Sequence, residues 1–220
     1  MLARRLEPEL MDTPEDARDY DAMDHSAVNR LFVSDFLRFR PDSPGRILDV
    51  GTGTAQIPIE LCRRTTAETV VALDAAGEML KLARANVARA GSDARIQLVD
   101  GNANHLPFPT GAFDAVISNS IVHHLPDPYD SFTEMVRVCK LGGHVFVRDL
   151  LRPDDEPTLE RLVETYAAGA SDHQRKLFGD SLWAALTLAE VQSLVAQLGF
   201  PPATVAQTSD RHWTWSAVTS

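Results

Sequence analysis

Between Arg46 and Asp149 the sequence alternates in a way that few folds can accommodate. Five short β-branched or apolar runs, Arg46–Val50, Thr69–Leu73, Arg95–Val99, Phe113–Ser118 and Gly143–Asp149, are interleaved with helical patterns at about 55–64, 77–90 and 128–139. In the last of these, Phe132, Met135, Val136 and Cys139 mark one face, and Asp127-Pro128 opens it. Parallel strands cannot be joined by a tight turn, because the chain must return over the sheet, and that return is usually a right-handed helical crossover. The alternation therefore predicts an α/β fold built on a parallel sheet. A chain of 220 residues that is 44% hydrophobic has the length and apolar content for one such domain.

The flanks complete the plan. Thr13-Pro14 predicts a helix start, and a second helix runs from about Asp24 with Val28, Leu31, Phe32, Phe36 and Phe39 at helical spacing, until Pro41, Pro44 and Gly45 end it. After Asp149, Pro157 opens a helix with Leu159, Leu162, Val163 and Tyr166 on one face. A less periodic stretch, 170–186, carries His173, Phe178, Gly179 and Trp183. Thr187-Leu188-Ala189-Glu190 reads as a capping box, and the helix it starts ends at Gly199. Thr204–Thr208 and His212–Val218, separated by Ser209-Asp210-Arg211, form a hairpin, so the sheet closes on an antiparallel strand. The expected organisation is a single domain over 1–220. It comprises a helical cap (1–44), a ligand-binding core (45–149), a helical substrate-side excursion (150–186), and a last helix with the terminal hairpin (187–220).

Ligands on such sheets bind at the carboxyl ends of the strands, where the strand order reverses. Ile47–Ala55 is a buried strand, a Gly51-Thr52-Gly53 turn and a helix start. A dinucleotide fingerprint would place a third glycine at position 56, where this chain has Gln56, and it rarely needs an acid such as Asp49 before its first glycine. The acid suits a ligand with a cationic amino group. Asp74 ends the second strand, 23 residues after Gly51, where a carboxylate can accept hydrogen bonds from both hydroxyls of a ribose. Two further roles stay open, Asp49 as a cap of its own loop and Asp74 as a helix N-cap.

From Arg46 to Asp149 the residues resemble the class I S-adenosylmethionine-dependent methyltransferases, in the branch that includes the quinone-biosynthesis C-methyltransferases. Ile47–Ala55 is similar to the family's cofactor loop and Asp74 to its ribose acid. Asn102-Ala103 with Leu106-Pro107-Phe108 is similar to its adenine-side motif, Phe113–Ser120 to its strand-four motif, and Leu141-Gly142-Gly143 to its usual Pro-Gly-Gly turn. Asn102 stands in place of the usual Asp, Ala55 in place of a common third glycine, and Leu141 in place of Pro. The resemblance implies a Rossmann-like doubly wound sheet with S-adenosylmethionine as cofactor. In that case Gly51, Thr52 and Gly53 pass close to the methionine moiety, and Asp49 anchors it or holds the loop. Asp74 binds the ribose with Ala75 beside it, and Met79 lies against the adenine. Asn102 and Ala103 address the adenine edge, the Ser118-Asn119 backbone faces the amino group, and Tyr20 resembles aromatic residues that close over the cofactor.

Composition narrows the partners. Thirty-one acidic side chains against twenty-one basic ones give a net charge of −10, and eight of the acids lie in residues 1–25. This balance argues against nucleic acid. No apolar run reaches the ~18 residues of a membrane span. Two cysteines in helix-like segments, Cys62 and Cys139, fit a reducing cytoplasm. Alternation puts Trp213 and Trp215 on one face of a strand, where they pack as core. No metal site is expected: His123 and His124 are sequence neighbours whose side chains should diverge, and no Cys or carboxylate cluster stands at zinc spacing.

The function expected is transfer of a methyl group to a small-molecule acceptor. A SAM-binding protein without turnover is the alternative, and a nicotinamide-dependent oxidoreductase is disfavoured by Gln56 and Asp49. No catalytic residue is assigned, although His123 follows the strand-four motif and is the one general-base candidate. Acceptor contacts are expected from His25, His123, His173 and Phe178. The segment 170–186 joins apolar Leu177, Phe178, Leu182 and Trp183 to His173 and Arg175, a composition equally suited to a pocket wall and to a packed surface connection.

Overall fold

A computed structural model describes residues 2–7, 13–22, 25–40, 45–66 and 69–220. In chain order the elements are α1 (Pro14–Ala22), α2 (Ser26–Phe39), β1 (Arg46–Val50), α3 (Gln56–Arg64), β2 (Thr69–Asp74), α4 (Gly77–Arg89), β3 (Ile96–Asp100), β4 (Phe113–Asn119), α5 (Tyr129–Val138), β5 (Cys139–Leu150), α6 (Glu156–Tyr166), α7 (Asp172–Ala184), α8 (Leu188–Gln197), β6 (Val205–Gln207) and β7 (His212–Val218). Seven strands form one sheet in the order β3-β2-β1-β4-β5-β7-β6. Strand β1 pairs in parallel with β2 on one side and β4 on the other, while β6 and β7 pair antiparallel. The order therefore reverses beside β1, and Val50 lies in register with Ser118 at the carboxyl ends of β1 and β4. This is the sheet that the alternation and the terminal hairpin predicted, in the Rossmann-like arrangement that the resemblance implied.

The chain divides into two compact units. The larger holds the described residues from 13 to 119, with Tyr129–Val147 and Ser216–Ser220. Its core joins Phe32, Val33 and Phe36 of α2 to Ile47 of β1, Ile57 and Leu61 of α3, Val70 and Ala72 of β2, and Phe146 of β5. Burying an aromatic ring is worth several kcal/mol of apolar area, so the Phe32–Phe146 pair, with centroids 5.2 Å apart, is a principal tie between α2 and the sheet. The smaller unit holds residues 2–7 with Ser120–Pro128 and Arg148–Trp215. Its core comprises Leu150, Leu159, Leu162, Leu182 and Ala185. Trp213 and Trp215 are fully buried as expected, and Trp215 meets Phe200 edge-on at 5.3 Å.

Some boundaries differ from the sequence reading. Segment 172–184 is a regular helix, α7, because Ser171 and Gln174 form a reciprocal capping box that the weak apolar period did not reveal. Strand β5 starts at Cys139 rather than Gly143, because Gly142 donates to the Thr219 carbonyl and Thr219 donates back to Gly143. Gly143 is a close-approach position: a Cβ there would stand 2.7 Å from Cys139 Sγ and 2.8 Å from the Lys140 carbonyl. The start of α2 is described from Ser26; Asp24, Pro41 and Pro44 lie outside the described residues.

Candidate functional site

The turn after β1 lies in the larger unit at the switch point. Gly51 and Gly53 adopt φ of 74° and 54°, the left-handed region that favours glycine, and Ala55 follows at 63°. Gly51 and Thr52 both donate backbone N–H groups to the Leu73 carbonyl at 2.8 and 2.9 Å, which draws the loop against the end of β2. Asp74, the last residue of β2, then accepts from Gly53 N–H at 2.6 Å through Oδ2 and from Ala76 N–H at 2.9 Å through Oδ1. Each carboxylate oxygen has two lone pairs, so a carboxylate oxygen can accept a hydroxyl beside a backbone N–H. The two roles weighed for Asp74 thus coexist, since its carboxylate already organises the start of α4.

Asp49, on β1, is 1% exposed, and its Oδ2 has no hydrogen-bond partner among the described residues. Burial pushes its pKa up to about 7; the Thr52 hydroxyl opposes that rise and the Asp74 charge adds to it. A buried carboxylate oxygen without a donor is costly, and it fits a site completed by a cationic ligand. The Thr52 hydroxyl is buried close enough to Asp49 to oppose that rise, but it makes no hydrogen bond of full geometry among the described residues.

The N-terminal helix brings an aromatic ring to this loop. Tyr20 Cε1 lies 3.6 Å from the point a Cβ on Gly53 would occupy. The same ring packs with Met79, Ala76 and Ala17, and sits 4.8 Å centroid to centroid from His25. Burial, together with the charges of Asp74, Asp49 and Asp21, pushes its hydroxyl pKa up to about 12, so it stays neutral. Sequence reasoning missed how Tyr20 is held. Asn86 on α4 donates to Asp21 at 2.9 Å and to the Thr54 carbonyl at 3.2 Å, tying α1, α4 and the loop together. An Asn on the buried side of an amphipathic helix was the available signal.

The other expected cofactor residues fall around the same edge. Ala75 is half-buried directly after Asp74. Ser118 is fully buried and donates through Oγ to the Val50 carbonyl at 2.8 Å, and the half-buried Asn119 ends β4. Ala103 is buried, whereas Asn102 is exposed and its amide oxygen accepts the Asn104 N–H at 2.7 Å. The Leu106–Phe108 loop is fixed by Glu134 and Arg137 of α5: Glu134 accepts the Leu106 N–H, and Arg137 donates to the Leu106 and Phe108 carbonyls.

The expected acceptor residues are placed differently. His25 is half-buried beside Tyr20 in the larger unit. His123, His173 and Phe178 belong to the smaller unit. His173 is exposed on α7, and Phe178 packs against the Leu150–Leu182 core. A groove of about 380 Å³ does lie along α6 and α7, lined by Leu159, Val163, Arg175, Lys176, Gly179 and Trp183, but neither His173 nor Phe178 lines it.

His123 is buried in a 3₁₀ turn, Val122–His124, and its Nδ1 lies 2.5 Å from Asp149 Oδ1. Burial lowers its pKa, but the charge and hydrogen bond of Asp149, with Glu7 nearby, outweigh this and raise it overall. His123 holds Asp149 below the usual carboxylate range, and two backbone donors, from Val122 and Leu150, add to the effect. The expectation that His123 and His124 diverge does not hold. The tight turn leaves the two rings 4.2 Å apart, both against Glu7, a residue that sequence reasoning did not single out.

A glycine-turned loop after β1, a buried acid on β1 with one unpartnered oxygen, and an acid at the end of β2 together make a candidate ligand site at the switch point of the sheet. Residues 48–147 match the methyltransferase domain family. The chain is 34% identical over 110 residues to a ubiquinone/menaquinone biosynthesis C-methyltransferase from Geobacter sp. strain M21, covering 50% of this chain and 47% of that one. It is 28% identical over 142 residues to a demethylmenaquinone methyltransferase from Bacteroides fragilis, covering 63% and 58%. The match thus spans about half the length of these curated relatives. A crystal structure of a SAM-dependent methyltransferase from Aquifex aeolicus shares the fold, with a TM-score of 0.69 at 19% identity over 94% of this chain and 99% of that one. Residues 48–147 are thus similar to a methyltransferase domain that these relatives carry.

Proposed function

We propose that the protein binds S-adenosylmethionine at the β1–β2–β4 edge and transfers a methyl group to a small molecule, with 1–220 acting as one catalytic domain. The observation that carries this reading is Asp49: a buried carboxylate oxygen without a donor, set under a positive-φ glycine turn. The residues present fit the cofactor. Asp49 would accept from the amino group of the methionine moiety, and Asp74 from the ribose hydroxyls. Met79 would lie against the adenine, and Tyr20 would close over the loop. When bound, the cofactor supplies a methyl group already activated by its sulfonium. The chain's own task is to orient the acceptor and exclude water, which is where most of the rate of such a displacement originates. A general base is required only for an acceptor that must lose a proton. For such an acceptor His123 is the candidate to test as base, since Asp149 raises its basicity.

The curated relatives are named for quinone biosynthesis, so a hydroquinone-type ring is the first acceptor class to try. The acidic balance supports an acceptor other than nucleic acid, and the two free cysteines support a cytoplasmic location. Among the described residues no helix is long and apolar enough to cross a membrane.

Calorimetry with S-adenosylhomocysteine should show one site on the wild type, weakened by about 1–3 kcal/mol in Asp74→Ala, the range for losing charge-assisted hydrogen bonds. Unchanged affinity in a folded Asp74→Ala protein removes the ribose assignment. Labelled cofactor incubated with hydroquinones and a metabolite extract separates turnover from binding alone.

A further inference from the structure

We infer that Glu7, His123 and His124 form a binding site for one divalent transition-metal ion of the zinc type, with Asp149 orienting His123 from behind. The inference is independent of the cofactor site, since all four residues lie in the smaller unit, and it is an alternative to His123 acting as a base, because the metal would occupy Nε2. Glu7 Oε1 stands 3.4 Å from His123 Nε2 and 3.2 Å from His124 Nδ1, and the three atoms lie within 4.8 Å of one another. Ligand atoms about 2.0–2.1 Å from a tetrahedral zinc ion are separated by about 3.3 Å. Two of the three separations already match that figure.

The orientation of the groups favours a common ligand over a private network. Glu7 Oε1 is buried and has no hydrogen-bond partner among the described residues, although both imidazole nitrogens are near it. Its companion Oε2 is engaged by the Ser181 hydroxyl at 3.2 Å, so Oε1 is the atom left to point at the histidines. The Glu7 side chain is 8% exposed and that of His123 5%. A carboxylate so placed with no donor is unfavourable unless a cation joins it.

His123 is also held in place for such a role. His123 uses Nδ1 on Asp149, which fixes the tautomer with a proton on Nδ1 and leaves the Nε2 lone pair toward Glu7, the carboxylate–histidine arrangement that supports metal-bound imidazoles. Asp149 is itself held by the Val122 and Leu150 N–H groups. Arg4 fastens the neighbouring chain by donating to the carbonyls of His123, Leu125, Pro126 and Ala184. Its positive charge is outweighed by the two carboxylates. Three protein ligands of the two-histidine, one-glutamate kind leave one position of a tetrahedron open to water or an anionic oxygen.

The test is metal titration of the full chain after dialysis against a chelator, with zinc followed by calorimetry and cobalt by its visible absorption. The expected result is one equivalent bound by the wild type. Affinity should fall at least tenfold in both Glu7→Gln, which keeps the side-chain shape, and His124→Ala, which removes the more exposed ring and spares the buried His123–Asp149 pair. Circular dichroism identifies which variants are folded, and loss of uptake in either folded one supports the site. Absence of saturable uptake by the wild type overturns it and leaves a hydrogen-bonded strap. Wild-type affinity in both variants also overturns it, by placing the metal elsewhere.

Discussion

Asp49 is where the chemistry of single residues is most exposed to test. With its pKa pushed up to about 7, the folded protein holds a proton that the unfolded chain loses near pH 4. Between those values the native state binds more protons than the unfolded state, so stability falls as pH rises and stays lower above about 7. Asn has no such proton. The Asp49→Asn protein is therefore expected to melt higher than the wild type at pH 8, by at least about 1 kcal/mol of stability, with the difference shrinking toward pH 5. Ligand binding should run the opposite way. Wild-type affinity for S-adenosylhomocysteine rises from pH 6 to pH 8 as the carboxylate ionises, while Asp49→Asn binds roughly tenfold or more weakly with little pH dependence. Equal affinities at pH 8 would show that Asp49 only holds the loop. Ala55 gives a second lesson at this scale. Its φ of 63° lies in the region that favours glycine, yet its fully buried methyl joins the core, so two effects of about 1 kcal/mol oppose each other.

At the scale of elements, caps rather than apolar periods separate the two helices near the C-terminus. Both α7 and α8 open on a reciprocal capping box, Ser171 with Gln174 and Thr187 with Glu190. The second was legible because a strong apolar face follows it; the first was not, because α7 presents a mixed surface. Thr187 is the more consequential cap. It is buried, and its partner Glu190 also accepts from Arg152 at 2.7 Å, a side chain 4% exposed. Thr187→Ala is expected to cost about 1–2 kcal/mol, the upper part of the range for lost N-caps, read as a lower denaturant midpoint at unchanged m. A cost of only a few tenths of a kcal/mol would mean that Glu190 and Arg152 hold the helix start unaided.

At the scale of the whole molecule, a ligand that binds only the folded state must stabilise it by mass action. At a hundredfold excess over Kd, S-adenosylhomocysteine should contribute about 2.7 kcal/mol, a rise in Tm of roughly 5–10 °C for a chain of this size. NAD(H) should leave Tm unchanged, and a comparable shift with it would reopen the nicotinamide reading. The sheet and the cofactor edge were legible because they rest on local rules. Strand–helix alternation dictates parallel pairing, and a glycine turn followed by an acid at the next strand end is a short-range pattern. From residues alone came the seven strands, the antiparallel hairpin, and Asp49, Gly51, Gly53 and Asp74 gathered at one edge. Only the tertiary structure brought Glu7 to His123 and His124, set Asp149 behind them, and tied Asn86 to Asp21 and the loop. Those contacts join residues from 26 to 117 positions apart, which no periodicity encodes. Their partners are chosen by which buried polar groups the packed core leaves in need of one another.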